Sequence, residues 1–339
     1  MEKRWGWCGT LLRSGAVVVL TVAMLLGGST VSAAQELVKT GYLPVLSFAA
    51  LYVAMEKKYF EEEGIKNELV RFASGTKMMA PLATGDIDVA GGGPSAGLFN
   101  SIAQGEKFKA VADKGQGRKG YGYSSILVRK DLFDSGKVKS MKDLKGMKVA
   151  QFGKGNVASY YLGRALELSG LSFDDVEHVA MQPPNIIPAL QNKTIDASTG
   201  SEPWPTIAVT RGLAYRLVEV HELPGLEVGQ TGLFIFSNKA LTERREVGKR
   251  WLRAYVKGIR YYNERGLANK EIIGIFGKFI KTPPDIIAKS ADHAFYLDPN
   301  GKPDVPSIAR FQDYLVKVGL IKSAVPMEKV VDLSLLPSS

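Results

Sequence analysis

Short apolar runs alternate with amphipathic segments along most of this chain. The first pair is a strand over Leu37–Tyr42 and a helix whose apolar positions recur at helical spacing before Gly64. Further strands are predicted over Glu68–Phe72, Ile87–Ala90, Phe108–Ala112, Ser124–Arg129, Lys148–Phe152, Glu177–Met181, Ile195–Ser198, Tyr215–Val220 and Thr231–Phe236. Helices are predicted between them over Lys77–Thr84, Pro94–Gln104, Val157–Ser169, Asn185–Asn192 and Trp204–Arg211. Such alternation is typical of βαβ units and a mostly parallel sheet.

The pattern changes after Phe236, where nearly every segment reads as a helix. One long helix has its apolar face between Val247 and Tyr262, Thr282 is predicted to cap a second, and a third ends at Gly319. This region has too few strands for a sheet of its own. We therefore expect it to pack on earlier elements.

These segments together predict an α/β protein of two lobes, each with a mixed, mostly parallel sheet. The first lobe is predicted to contain residues 36–126 together with the helical region 231–339, and the second lobe residues 127–230. Because the chain then crosses between the lobes near Ser124–Arg129 and near Thr231–Phe236, these two crossovers are the expected hinge.

The N-terminus has the three-part order of a secretory signal. A start with three basic residues is followed by an uncharged apolar run over Ala16–Gly28 and then by small residues that end at Ala33. We expect residues 1–33 to be a signal peptide that is cleaved near Ala33, and the mature protein to be periplasmic. An uncleaved membrane anchor is the alternative, but a spanning helix needs about 20 apolar residues.

The composition narrows the classes of function. Among 339 residues there are 44 Lys or Arg and 34 Asp or Glu, a net charge of +10. The single Cys, Cys8, and three widely separated His residues exclude a disulfide scaffold and a Cys-rich zinc module, so we expect no metal and no cofactor. An exported protein is not expected to bind nucleic acid. Its positive charge either favours small anions and acidic surfaces or only aids solubility.

Several short motifs stand in a fixed order along the mature chain. They are Gly41-Tyr42-Leu43-Pro44, the run from Tyr52 to Phe60, Glu63-Gly64-Ile65, the runs from Leu82 to Ala90 and from Asp143 to Ala150, Ile195-Asp196-Ala197, Gly319-Leu320 and Val331-Asp332. Their joint order resembles the periplasmic substrate-binding proteins of nitrate/sulfonate/taurine-type ABC importers over nearly the whole mature chain.

This resemblance implies a type II periplasmic binding protein fold, with a ligand cleft between two hinged lobes. It implies that the protein captures a small organic ligand and delivers it to a membrane permease, and that it catalyses no reaction. We expect the ligand to be an anion such as a sulfonate or a carboxylate, and the protein to be a monomer.

Two strand-to-helix turns, one in each predicted lobe, are the candidate anion sites. Glycine lets a ligand approach the backbone, and the unpaired N–H groups at a helix start attract an anion. The candidate contacts are Gly93, Ser95 and Ala96 in the first turn and Gly155, Asn156 and Val157 in the second. The alternative interpretation is an ordinary βα turn, capped by Ser95 in the first case.

The remaining candidates are expected to surround the cleft. They are Leu46, Ser47 and Phe48 before the first helix, Ser124 and Thr231 at the crossovers, and Glu202 and Trp204 in a Pro-rich loop. Trp204 could stack on an apolar part of the ligand, and Glu202 could bind an amine or a hydroxyl. Core packing is the alternative for Phe48 and Trp204, and solvation is the alternative for Glu202.

A second hypothesis comes from Gly93-Pro94-Ser95-Ala96-Gly97. This G-x-S-x-G match stands between a strand and a helix, which is the context of a hydrolase nucleophile, and His293 follows downstream. However, Pro directly before the Ser is unusual, and no His-Gly oxyanion motif precedes it. The binding protein is therefore the main hypothesis, and an exported serine hydrolase that uses Ser95 is the alternative.

Overall fold

The computed structural model describes residues 34–338. The predicted signal peptide, residues 1–33, lies outside the described residues. The strands are β1 (Glu36–Tyr42), β2 (Ile65–Arg71), β3 (Val89–Gly92), β4 (Lys109–Arg118), β5 (Ser124–Arg129), β6 (Lys148–Gln151), β7 (Glu177–Ala180), β8 (Ala197–Ser201), β9 (Ala214–Glu219) and β10 (Val228–Phe236).

These strands form two five-stranded sheets. The first has the order β2-β1-β3-β10-β4 and the second the order β7-β6-β8-β5-β9. In each sheet two neighbouring pairs are parallel and two are antiparallel. The predicted α/β class with mixed sheets is confirmed, although the antiparallel share is larger than the alternating pattern suggests. All antiparallel pairs involve β5 or β10, the strands through which the chain enters the second sheet and returns to the first.

Strands β4 and β10 are longer than the apolar pattern predicts. They pair antiparallel from Val228 opposite Arg118 to Phe236 opposite Lys109, with irregular register in between. The added part of β4 contains Asp113, Lys114 and Gln116, and such polar residues are depleted in strands. The backbone ladder to β10, rather than side-chain hydrophobicity, makes this segment a strand.

The helices follow the predicted order. They are Ala49–Glu56, Tyr59–Glu62, Met79–Thr84, Ala96–Ala103, Lys130–Asp134, Val157–Leu168, Pro183–Gln191, Trp204–Thr210, Asn238–Leu241, Arg245–Arg265, Lys270–Ile280, Pro284–Lys289, Val305–Lys317 and Met327–Val330. Thr282 is not a helix cap, because the helix begins at Pro284 and has Pro283 as its N-cap. A proline favours an extended residue before it, so Pro284 holds Pro283 outside the helix.

The long helix Arg245–Arg265 packs on the first sheet and on the helix Ala49–Glu56. Its Trp251 is fully buried, and the indole contacts the ring of Phe234 edge-on with centroids 5.0 Å apart. A Cβ on Gly258 would lie 2.2 Å from the carbonyl oxygen of Ala50, so glycine permits the close approach of the two helices. The expectation that the C-terminal region packs on earlier elements is confirmed.

The helix Val305–Lys317 contacts the helix Val157–Leu168, which follows β6 of the second sheet. The ring centroids of Tyr160 and Tyr314 lie 5.0 Å apart. Lys317 forms a 3.0 Å ion pair with Glu167. The C-terminal region therefore contacts helices that follow strands of both sheets. Within residues 34–338, no helix is both long and apolar enough to cross a bilayer.

Candidate ligand-binding site

A cavity of about 740 Å³ is lined by segments that flank both sheets. Eight of the residues predicted from the sequence line it: Ser47, Gly93, Ser95, Ser124, Asn156, Val157, Trp204 and Thr231. The volume falls in the range of about 300–1,000 Å³ that is typical of small-molecule sites. The cavity is therefore large enough for an organic molecule with a substantial apolar body.

The two predicted anion-binding turns lie next to each other at the cavity. Ser95 and Asn156 form an isolated antiparallel bridge, and the Ala96 N–H donates to the carbonyl oxygen of Gly155 at 2.7 Å. Gly155 has φ +78°, and a Cβ on it would lie 2.8 Å from the Cβ of Ala96, so glycine fits this contact. Ala96 and Gly155, which the sequence predicts as ligand contacts, instead contact each other and are absent from the cavity wall.

Both turns also cap the helices that follow them. The Leu98 N–H donates to Ser95 Oγ at 3.2 Å, and the Ser159 N–H donates to Asn156 Oδ1 at 3.0 Å. Each cap satisfies a backbone donor that the first helical turn leaves unpaired. The alternative interpretation of Ser95 as a cap is therefore correct. Its hydroxyl oxygen accepts from the backbone, so the hydroxyl hydrogen is still available to donate into the cavity.

Leu46 and Phe48 belong to the hydrophobic core rather than to the cavity wall. Both are fully buried, and the Phe48 ring packs against Tyr52 and Phe234. A Cβ on Gly91 would lie 2.3 Å from the Phe48 ring, so Phe48 fills the space that this glycine leaves. The core alternative for Phe48 is correct, and only Ser47 of this segment reaches the cavity.

Glu202 also does not line the cavity. It is fully buried, it forms an ion pair with Arg216, and its other carboxylate oxygen accepts from the Thr206 N–H at 3.3 Å. Burial raises the pKa of Glu202, and the Arg216 charge opposes that shift. The predicted role in binding an amine or a hydroxyl is therefore not supported, and Glu202 is not solvated either.

Three residues of the wall each have a buried polar atom without a hydrogen-bond partner among the described residues. These atoms are the Tyr161 hydroxyl, Thr199 Oγ1 and Trp204 Nε1. An unpaired buried polar group costs about 1–3 kcal/mol, so such groups usually have a partner in the functional state. Each of these atoms is closed off from the cavity in this structure, so a ligand there would contact the Trp204 ring rather than its N–H. Tyr161 and Thr199 are wall residues that the sequence analysis does not predict.

The charges on the wall all have one sign. Arg71, Lys77, Lys114 and Lys154 line the cavity, and no acidic side chain is among the described residues that do so. Arg71, Lys77 and Lys154 are exposed, whereas Lys114 is 3% exposed. The cavity therefore has a positive potential that favours an anionic ligand.

Lys114, the most buried of these cations, is a wall residue that the sequence analysis does not predict. Its Nζ donates to Ser47 Oγ at 2.9 Å and lies 4.1 Å from the centre of the Phe48 ring. Burial lowers the pKa of Lys114 to about 7. The signal that could have found it is a run of polar residues, from Asp113 to Gln116, directly after a strongly apolar strand segment.

The neighbouring Asp113 is fully buried but has its own partners. Its Oδ1 accepts from the Gly115 N–H and from Gln230 Nε2, both at 2.8 Å, and its Oδ2 accepts from the Asp298 N–H at 2.9 Å. Burial raises the pKa of Asp113 to about 6. This carboxylate therefore links β4, β10 and the segment that contains Asp298.

Ser95 has no histidine beside it on the cavity wall. His221 contacts the carbonyl oxygen of Leu226 at 2.8 Å, His178 contacts Gln151 at 2.9 Å, and His293 lies 3.5 Å from a Glu219 oxygen. None of these histidines is among the described residues that line the cavity. The geometry therefore offers no imidazole base for a Ser95 nucleophile.

Comparison with known proteins identifies the relatives of this fold and cavity. Residues 32–275, well over half of the chain, match the NMT1-like family. The chain belongs to the NMT1-like family. This membership confirms the resemblance that the ordered motifs indicate and supports a binding protein rather than an enzyme.

The relatives of this NMT1-like chain include sulfonate-binding proteins. An Escherichia coli K12 protein, provisionally named an aliphatic sulfonates-binding protein, is 26% identical over 82% of this chain and 83% of its own length. The ligand-binding component of an ABC-type import system from Staphylococcus aureus is 19% identical, with a TM-score of 0.75 over 89% of this chain and 98% of that one.

A third relative was solved with a ligand. The alkanesulfonate-binding protein from Xanthomonas axonopodis pv. citri, bound to MOPS, is 22% identical, with a TM-score of 0.70 over 89% of this chain and 98% of that one. These structures confirm the predicted type II periplasmic binding protein fold.

Proposed function

We propose that this protein is the solute-binding component of an ABC importer and that it captures an organic anion with a sulfonate or carboxylate group. The observation that carries the proposal is the cavity, whose wall bears four basic side chains and, among the described residues, no acidic one. The names of its relatives, which include binders of sulfonates, support the same ligand class.

The apolar part of the wall favours an organic rather than an inorganic anion. Phe72, Tyr123, Phe152, Tyr161 and Trp204 contribute aromatic side chains to it. Aromatic side chains supply large apolar contact areas, which an ion the size of nitrate cannot use. The ligand therefore has an acid group and an apolar body.

We propose that the ligand binds between two lobes that close on it. The first lobe is residues 36–126 with 231–339, and the second is residues 127–230, as the sequence predicts. The ligand favours the closed state because only that state contacts it from both sides. Ser95 and Val157 lie on the wall at the two turns, and the contact between these turns in this structure is the one expected of the closed state.

We further propose that the mature protein is a periplasmic monomer that delivers its ligand to a membrane permease. The predicted signal peptide and the family support this location. No step in this function breaks a bond. The exported serine hydrolase using Ser95 is not proposed, because no histidine reaches the wall beside it.

Calorimetric titration of the mature protein tests the ligand class. The acids are benzenesulfonate, butanesulfonate, MOPS and benzoate, and the matched neutral control is benzenesulfonamide. We expect at least one acid to bind saturably at one site per chain. We expect the amide to bind at least about tenfold more weakly, because it lacks the charge that the basic wall attracts. Equal binding of acid and amide, or no binding of any acid, contradicts the proposal.

A further inference from the structure

Lys114 is a buried cation that has no ion-pair partner among the described residues. Its ammonium has three N–H donors, and the only hydrogen bond it forms there is the 2.9 Å contact to Ser47 Oγ. The face of the Phe48 ring, 4.1 Å away, supplies a weaker attraction. Two of the three N–H donors are therefore without a partner among the described residues, and Lys114 lines the cavity.

The nearest carboxylate along the chain compensates this charge only in part. Asp113 precedes Lys114 in β4, where the register against β10 is irregular, and its charge opposes, without cancelling, the lowering of the Lys114 pKa by burial. Both Asp113 oxygens accept hydrogen bonds from Gly115, Gln230 and Asp298. No carboxylate oxygen within residues 34–338 forms an ion pair with Lys114.

The other groups around Lys114 form no ion pair with it. The 3-10 helix Leu46–Phe48 presents Ser47 and Phe48, and β10 presents Gly232, where a Cβ would lie 2.7 Å from Lys114 Nζ. Tyr123 is buried with its pKa raised to about 12, so it is neutral. Glu202 is paired with Arg216. The remaining charges on the cavity wall are the cations Arg71, Lys77 and Lys154, which have the same sign as Lys114 and cannot pair with it.

A buried charge without an ion-pair partner is destabilising, and an anionic ligand in the cavity would supply that partner. We propose that Lys114 is the counter-ion of the ligand's acid group and that Lys114 takes up a proton when the ligand binds. This inference rests on the proposed function, and it adds the residue that holds the acid group and a dependence of binding on pH.

The sign of the pH dependence follows from the burial of Lys114. With its pKa lowered to about 7, the ligand-free protein holds a mostly neutral amine at pH 9. An anion favours the charged form, so binding must then draw a proton from solution. Each pH unit above 7 costs about tenfold in affinity until the pKa of the bound state is reached.

The first test measures the dissociation constant of benzenesulfonate, which stays anionic throughout, by calorimetry at pH 6 and pH 9. We expect wild type to bind about 100-fold more weakly at pH 9. Lys114→Arg keeps its charge at both pH values, so its affinity should not change with pH. Lys114→Gln should bind weakly at both. Lys77→Gln, which changes an exposed lysine on the same wall, should keep the wild-type pH dependence.

The second test needs no ligand. In protein labelled with ¹³C at lysine Cε, the Lys114 signal is assigned by its loss in Lys114→Arg, and it should titrate near pH 7, whereas exposed lysines titrate near 10.4. A Lys114 titration midpoint above pH 10 overturns the inference. So does an affinity for benzenesulfonate that is changed neither by pH nor by Lys114→Gln. Both outcomes leave the proposed function intact. If benzenesulfonate does not bind wild type at pH 6, the acid of the calorimetric series that does bind takes its place. If none binds, the proposed function is contradicted, and the titration alone decides the role of Lys114.

Discussion

Replacing Lys114 by Met should stabilise the ligand-free protein most strongly at low pH. The pKa of Lys114 lies at about 7 in the folded protein against an ordinary value of 10.5, so the unfolded chain binds more protons between these values. Below pH 7 both states hold the proton, and the full penalty of burying the charge applies. Above pH 10.5 neither state holds it, and the penalty is gone. Stability of wild type therefore rises with pH across this window.

The size of the expected stability difference follows from the pH range that an unfolding experiment can cover. Between pH 6 and pH 9 the penalty shrinks by about two pKa units, which is about 3 kcal/mol. Met has a similar length and no charge, so it carries no such penalty. The lost hydrogen bond to Ser47 costs the variant about 1 kcal/mol at both pH values and does not alter the difference.

Urea unfolding of both proteins at pH 6 and pH 9, in chloride buffers without organic acids, measures this quantity. Wild type should gain about 3 kcal/mol relative to Lys114→Met between the two pH values. Lys154→Met is the matched control, because Lys154 lines the same cavity but is exposed. It should show no such gain. If the difference in unfolding free energy between wild type and Lys114→Met is the same at both pH values, Lys114 titrates normally and the reasoning is refuted.

Three further predictions concern the rest of the site. Glu202→Ala should lower the free energy of unfolding by about 3–5 kcal/mol, because it leaves the Arg216 guanidinium without its buried partner; a loss below 1 kcal/mol in urea would contradict this. Trp204→Phe keeps a ring on the wall but loses part of the apolar contact area, so benzenesulfonate should bind about 2–10-fold more weakly. Ser95→Ala should cost about 1 kcal/mol of stability through the lost cap and should weaken binding by about one to two decades if the hydroxyl also contacts the ligand; wild-type affinity in this variant would remove Ser95 from the site.

The fold class could be predicted because its signals are local. Alternating strands and helices, closed by glycines such as Gly85 and Gly319, indicate βαβ units, and both glycines adopt positive φ where the helix ends. The two strand-to-helix turns could also be placed, since a turn after a buried strand leads to the edge of the sheet. The contact between Ala96 and Gly155 could not be predicted, because it depends on how closely two distant segments approach.

The burial of the charged residues Asp113, Lys114 and Glu202 could not be predicted from the sequence for a related reason. Asp113 and Lys114 lie beyond the predicted strand Phe108–Ala112, because a short run of polar residues usually lies at the surface. Their burial depends on partners far along the chain, Gln230 and Asp298 for Asp113 and Ser47 for Lys114. Glu202 was predicted to lie in the cleft by position, but Arg216 holds it in the interior.

The most direct test of the central claim is native mass spectrometry of the mature protein purified from the periplasm of its own cells. The account predicts one small molecule bound per chain, which carries a sulfonate or carboxylate group when released and identified, and which is lost from Lys114→Gln. A bound neutral or cationic compound, or a covalent adduct on Ser95, would contradict the account.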